Sequence, residues 1–359
     1  MSKLISDYFM DASHSLPYVS HLAQEMHGLQ RLFSKRIYSN QSVIRFAEHT
    51  EHQFIPDDLP ANSNFGYKVQ AGEFSRGIYE IPFFATETNL SAHTFKEPIP
   101  PESLMGRPLG ERQRRAWHIA NTWAAQGRMM GRELERQAAS ALWYGKIAFK
   151  NNTSPDFNRD PNAMLHVAKS WSDPSADILG DLTALAEQII HHGGSPDTVI
   201  MGPRAFDGMM KNEVIAKLLD NRRIEVGNIA PRIQPTGMVR SAVLYISGHP
   251  ITFYQYNQKY DVPVEGGKKE RRAYLDPQAV MMMDSSQELV GFFGSSILLD
   301  EYRLANHITV QGMQFDAFVY TQPPSALTVG MQARPLLCPA MPNLTAVLKA
   351  DGTKIEAGA

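Results

Sequence analysis

The sequence holds a single cysteine, Cys338, in 359 residues. That excludes an intramolecular disulfide framework and any zinc site built from several thiolates, and it fits a reducing compartment. Excess charge of either sign is also lacking: Lys+Arg 35 against Asp+Glu 37 leaves a formal net charge of -2. Such a balance argues against a chain whose main task is gripping nucleic acid, which needs a broadly basic surface, although a local basic patch stays open. No apolar run approaches the roughly 20 residues of a membrane helix. Met1 to Met10 carries neither a basic lead nor a long apolar block, so the chain reads as soluble and untargeted, with no membrane partner. A nucleophile elbow, a Gly-Lys-Ser/Thr phosphate loop, a zincin helix and an EF-hand loop are missing, as are internal repeats and low-complexity tracts. What is present, 43% hydrophobic and 20% charged residues, suffices for a sizeable core in two or three domains and excludes disordered and collagen-like chains.

Residues 1–65 hold apolar residues only in scraps, such as Leu29, Leu32, Phe33 and Ile37, then Val43, Ile44 and Phe46. These scraps are too short for a core of their own, so the segment is read as an arm whose hydrophobic partner lies elsewhere, on another subunit. Removing residues 1–40 should then leave a foldable subunit. Residues 66–108 alternate through Tyr79, Ile81 and Phe83, carry Gly66, Gly72 and Gly77, and end in Pro98, Pro100, Pro101 and Pro108, which predicts a long hairpin and a stiff connector. Between Gly110 and Gly145 proline disappears. Trp117, Ala120, Ala124, Gly127, Gly131, Leu134, Ala138 and Ala141 recur every three or four residues, predicting one helix on the order of 50 Å long with a stripe of small residues. Arg112, Arg114, Arg115, Arg128, Arg132 and Arg136 dominate its other faces. Those arginines form either a solvated basic face or a surface turned to another subunit or to nucleic acid.

A second unit opens at Asp173, read as the cap of a helix starting at Pro174 with the stripe Ile178, Leu182, Leu185 and Ile189, and stopped by Gly193 and Gly194. Val199 to Met201 follows as a short buried strand, then Gly202 and Pro203 turn into two short helices reaching Arg222. Ala242 to Ile246 and Ile251 to Tyr256 flank a turn at Gly248, His249 and Pro250. A polar loop then runs to Gly266, Gly267, Lys268 and Lys269, and Ala279 to Met283 is another buried strand. The remainder, Ile308 to Tyr320 and Leu327 to Leu348, is strand-like with proline punctuation.

Few residues suggest chemistry. His49 with His52, or His191 with His192, could share an ion, but neighbours on a helix point about 100° apart, and His191 and His192 equally suit a helix C-terminus. Gly266 to Lys269 with Arg271 and Arg272 could wrap a phosphate, or form an exposed basic loop between two strands. Cys338 reads as a buried, inert thiol. No catalytic, cofactor-binding or metal-binding residue is assigned, and no cofactor.

The order of elements carries more. Leu142, Gly145 and Lys146 at the end of the long helix, Asp173-Pro174, Asp177-Ile178, Val199-Ile200-Met201 and Pro203 are the first matches, and the run Lys217 to Arg223 is the closest local one. Tyr245 to Tyr256, then Tyr260, Gly267, Lys268, Lys269, Leu275 and Pro277, and finally Met331, Gln332, Pro335, Leu336, Leu337 and Pro342 follow in order. This succession resembles the phage lambda-like major head proteins, the major capsid protein E family of tailed bacteriophages, mainly between Leu142 and Ala350. The first 110 residues depart from it; Arg76-Gly77 alone is placed, loosely, on the family's extended loop.

The resemblance implies an α+β chain with the tailed-phage major capsid fold of the Hong Kong 97 type. Its parts would be an N-terminal arm (1–65), an extended hairpin loop (66–108), a peripheral domain with a long spine helix (109–172), an axial α/β domain (173–320), and C-terminal strands returning to the peripheral domain (321–359). It implies a structural protein and not an enzyme, self-assembling as hexamers and pentamers into an icosahedral head around double-stranded DNA touched non-specifically. A scaffolding protein, a portal and a cementing decoration protein are the further implied partners, and the virion capsid, assembled in the host cytoplasm, is the implied location. Intersubunit contacts are expected at Arg76, Tyr79, Phe83, Arg112, Arg115, Arg128, Lys268, Lys269 and Arg271. The competing readings are an encapsulin-like shell around protein cargo and a small-molecule or metal-dependent enzyme.

Overall fold

The computed structural model describes residues 28–39, 43–50, 73–99, 110–149, 154–217, 232–233, 238–264, 267–294, 306–310, 313–322 and 326–355. In chain order the elements are β1 (Lys35–Ser39), β2 (Val43–Thr50), β3 (Glu73–Glu80), β4 (Phe84–Ser91), α1 (Glu111–Tyr144), β5 (Met164–His166), α2 (Ile178–His191), β6 (Thr198–Met201), α3 (Pro203–Lys211), β7 (Arg232–Ile233), β8 (Met238–Ile246) and β9 (His249–Tyr256). They continue as β10 (Lys259–Pro263), β11 (Lys269–Ala273), β12 (Ala279–Met283), β13 (Leu289–Gly294), β14 (Asn306–Val310), β15 (Met313–Gln322), β16 (Ala326–Pro339) and β17 (Thr345–Lys349).

The 34 residues of α1 form the helix that the proline-free stretch predicts. At its start the Gln113 side chain accepts the Gly110 N–H at 3.2 Å. At its end Gly145 turns the chain at φ +68°, the left-handed conformation that favours glycine. The final turn carries no basic residue of its own. Arg159, arriving from the loop beyond, fills that role: its guanidinium donates to the carbonyls of Ala141 (3.3 Å), Leu142 (2.7 Å) and Trp143 (3.0 Å), and also to that of Pro342. Helix-end carbonyls that would otherwise lack donors are thereby satisfied. Burial lowers the Arg159 pKa to about 10, so the group stays charged near neutrality.

Two sheets carry the body. In the first, the strand order is β1-β13-β16-β15-β14, with β4 against the first part of β16. All pairs are antiparallel except β1 with β13, where Ile37 lies opposite Phe292. The second has the order β5-β17-β12-β6-β9-β8-β7. Its middle strand β12 is buried throughout, and the period of two splits its side chains between two cores. Val280 and Met282 face the cluster containing Leu182, Leu185 and Ile189 of α2 and Met209 of α3. Met281 and Met283 belong to the cluster containing Trp123, Leu134 and Leu142 of α1 and Leu336 of β16. The second sheet is thus shared between the two halves of the molecule.

Several expectations change. Residues 28–39 are not an arm reaching for another subunit: Leu29 and Phe33 are buried in this chain's own core, and β1 pairs with β13. The scraps lack a core of their own but fit one built from α1 and β16. The hairpin also starts earlier than 66, because β2, expected in the arm, pairs antiparallel with β3, Val43 opposite Glu80 and Thr50 opposite Glu73. From the same stretch, β4 joins the first sheet. The boundary expected near 320 dissolves: β13, β14 and β15 pair in the first sheet, while β5 and β17 join the second. Buried strands of both sheets are apolar on both faces, so hydrophobic pattern does not say which sheet a strand enters. The helix after Asp173 begins four residues later than expected. Asp173 closes a turn on Ser175, accepting its N–H and its hydroxyl at 2.8 Å each, and Asp177 caps α2 through the Gly180 N–H at 3.0 Å. His249 and Pro250, expected in a turn, start β9 behind a turn at Ser247 and Gly248. The polar loop after Asn257 is itself a hairpin, β10 with β11. Of the second short helix, 213–217 is helical; the rest of the run to Arg223 lies outside the described residues.

Candidate intersubunit surfaces

α1 crosses β16 through a polar seam. Trp123 Nε1 donates to the Gly330 carbonyl at 3.2 Å, and Gln126 Nε2 to that of Val329 at 2.9 Å. Gln137 Oε1 accepts the Leu337 N–H at 3.3 Å. Gln126 and Gln137 stand eleven residues apart, about three turns, and so share a helix face. In the sequence they directly precede Gly127 and Ala138, two members of the stripe of small residues. Glu135, buried in the same helix, accepts the Leu29 N–H at 2.9 Å, the Gln30 N–H at 3.0 Å and the Tyr256 hydroxyl. No local pattern points to Glu135, because its partners lie more than 100 residues away.

On the outer side of α1 lies a cleft of about 880 Å³. The root of the β2–β3 hairpin contributes Phe83, α1 contributes Glu133 and Arg136, β10–β11 contributes Tyr260 and Arg272, and β16 contributes Arg334. Arg136 holds Glu133 through two bonds of 2.7 and 2.8 Å and lies 5.6 Å from the Phe149 ring. Arg334 lies 5.3 Å from the ring of Phe83, which is 49% exposed. Tyr260 stacks on Tyr274 at 4.6 Å.

The expected contact residues fall into five places. Arg76 sits on β3 opposite Ala47; its side chain lies outside the described residues. Tyr79 is used within the chain, its hydroxyl donating to the Asp156 carbonyl at 2.7 Å and its ring meeting Phe157 edge-on. Phe83 borders the cleft. Arg112 and Arg115 stand in the first turns of α1, roughly 32–36 Å along the helix from Arg136. There Arg115 bonds Glu111 at 3.4 Å and lies over Phe95, Arg114 donates to the Lys96 carbonyl, and Arg112 is exposed. Arg128 is half-buried mid-helix. Lys268, Lys269 and Arg271 are exposed on the β10–β11 hairpin, which also supplies Tyr260 and Arg272 to the cleft. The structure therefore places Phe83 and this basic hairpin around one cleft, and leaves Arg112 and Arg115 at the far end of α1.

The chemistry-bearing candidates separate. His52 lies outside the described residues, as does the His49 side chain. His191 and His192 meet edge-on at 5.3 Å, and His192 Nε2 approaches Asp160 at 3.3 Å. Among the described residues no three His, Cys, Asp or Glu side chains converge as metal ligands, and no helix is long and apolar enough to cross a membrane. Cys338 is buried. Gly267, at φ +75°, serves the turn of the β10–β11 hairpin.

The solved structures give the class. The chain resembles a protein described as a prophage capsid protein from E. coli CFT073, with TM-score 0.64 and 13% identity, covering 93% of this chain and 96% of that one. It also resembles a phage-related protein from Bordetella bronchiseptica RB50, with TM-score 0.51 and 10% identity, covering 94% and 98%. The fold is that of the tailed-phage capsid proteins, of the Hong Kong 97 type. No curated protein matches the chain in sequence. The family model of phage major capsid protein E matches residues 89–350, well over half of the chain, and the chain belongs to that family. Its role is that of a capsid protein.

Proposed function

We propose that the chain assembles as hexamers and pentamers into an icosahedral head that encloses double-stranded phage DNA. Beyond family membership, the observation that carries this is the β2–β3 hairpin, whose strands pair with each other and with no other described strand. A two-stranded hairpin is marginal alone in water. A neighbouring subunit supplies the missing cover, and Phe83, Arg112, Lys268, Lys269 and Arg271, all exposed, line the surfaces offered to it, with Arg76 and Arg128 as further contacts. Tyr79 and Arg115 support those surfaces from within their own subunit. A net charge of -2 suits a shell that lines DNA without clamping it. The role is structural and not enzymatic. Assembly takes place in the host cytoplasm with a scaffolding protein and a portal, and a cementing protein completes the outside.

Negative-stain electron microscopy of the purified chain, alone and with a scaffold candidate, tests this. Closed shells with six-fold and five-fold clusters are expected. Small discrete particles under both conditions refute shell assembly, and shells filled with protein cargo refute the DNA-enclosing role.

A further inference from the structure

The cleft beside α1 is left with unmatched charge. Of the cations that line it, Arg136 is held by Glu133, and Arg272 by Glu270 at 2.8 Å. Lys146 and Arg334 have no carboxylate partner among the described residues, and the buried Nε of Arg334 donates no hydrogen bond. Glu80, in the same lining, has no cation. Aromatic rings share the walls: Phe84 and Phe149 meet edge-on at 6.1 Å, and Phe83 is half exposed. A cavity of this size, with apolar walls and a few convergent polar groups, takes a ligand or a stretch of peptide. Its occupant should carry aromatic side chains, two carboxylates for Lys146 and Arg334, and one cation for Glu80.

Residues 3–11 of this chain have that pattern: one cation, Lys3, two carboxylates, Asp7 and Asp11, and Tyr8 and Phe9 between them. The chain also arrives at the right place. Gly28 opens the strap 28–39, whose Leu29 and Phe33 plug the core, and its N–H bonds Glu135, the neighbour of Arg136 on α1. From Asp11 to Gly28 an extended chain covers up to roughly 56 Å. Glu135 and Tyr144, a cleft residue at the end of α1, stand only roughly 14 Å apart along the helix. A tether this short keeps the segment at an effective concentration on the order of millimolar, so in dilute solution a subunit's own cleft fills before that of a second copy.

We propose that the cleft is the docking site of residues 3–11 of its own chain, with Asp7 and Asp11 set against Lys146 and Arg334, Lys3 against Glu80, and Tyr8 and Phe9 against the phenylalanine walls. The contact belongs to the single subunit, so it stands or falls apart from shell assembly. It leaves Lys268, Lys269 and Arg271, which do not line the cleft, open to a neighbour.

Zero-length carbodiimide cross-linking of the full chain in dilute solution, mapped by mass spectrometry of the monomer, tests the docking. Links from Asp7 or Asp11 to Lys146, and from Lys3 to Glu80, should exceed those to the exposed Lys268 and Lys269 by about tenfold or more. Arg334→Gln removes a charge without touching a cross-linked group and should lower the Lys146 yield about two- to fivefold, the worth of one ion pair at a surface. Links spread evenly over the exposed lysines, links found only between subunits, or a yield unmoved by Arg334→Gln overturn the docking. Should Arg334→Gln not fold, Asp11→Asn carries the test: the remaining links, Asp7 to Lys146 and Lys3 to Glu80, should fall likewise, and unmoved links overturn the proposal.

Discussion

Where α1 crosses β16, side chains hydrogen-bond to strand backbone at Gly330, Val329 and Leu337, whereas α2 meets its sheet through Leu182, Leu185 and Ile189. The two helices bury different stripes. That of α2 is made of branched side chains, which interlock by shape and so fix their own register. That of α1 is rich in Ala and Gly, which bring backbones close but leave little relief to stop a helix sliding along a strand. The amides of Gln126 and Gln137 supply the missing register. Amides buried in a helix face, each with one bond to a strand carbonyl or N–H, act here as alignment marks.

Mutations can break or sharpen this contrast. The largest effect is expected from Leu134→Arg, which drives a charge into the α1 core where Leu134 is 1% exposed; a loss above about 4 kcal/mol should leave no folded chain by denaturant unfolding. Next comes removal of residues 1–40, which takes Leu29 and Phe33 from the core and strips Glu135 of its N–H donors. About 3–5 kcal/mol should be lost from the same unfolding curve. A truncated chain as stable as the full one would return residues 28–39 to the role of an arm. Arg159→Ala leaves helix-end carbonyls without donors and should lower stability by about 3 kcal/mol, read as a drop in urea midpoint. Gln137→Leu leaves the Leu337 N–H without its side-chain acceptor and should cost about 1–3 kcal/mol, whereas the smaller Leu185→Val effect on the α2 side should come from packing alone, about 1 kcal/mol. Comparing these two by calorimetry separates register set by hydrogen bonds from register set by shape. The smallest effect on stability, within about 0.5 kcal/mol, is expected from Phe83→Ser at an exposed position. Its readout is assembly: shell yield by sedimentation should fall while the monomer melts unchanged.

Much of the local structure was legible. The proline-free stretch from Gly110 to Gly145 became α1, and Val199 to Met201 and Ala279 to Met283 became β6 and β12 within a residue. Less of the candidate surface was. Lys268, Lys269 and Arg271 are exposed as a basic loop would be, but the arginines of α1 do not form one face: Arg114 and Arg115 cover the connector at Lys96 and Phe95, and Arg136 closes on Glu133 and Phe149. Charge on a helix says that a side chain avoids the apolar core. It does not say whether the other side is water, a neighbour or the chain's own loop.

Periodicity, proline and glycine by themselves determined where the long helix and the short buried strands β6 and β12 run, because those signals act over a few residues and need no partner. The ordered matches from Leu142 onward also placed the chain in its family. Only the tertiary structure decided that the N-terminal strap belongs to its own subunit, that Arg159 finishes a helix it is not part of, and that β12 serves two cores. Each of these depends on contacts between residues far apart in the chain, and the free energy of such a contact is set by the burial and geometry that both partners create only when they meet.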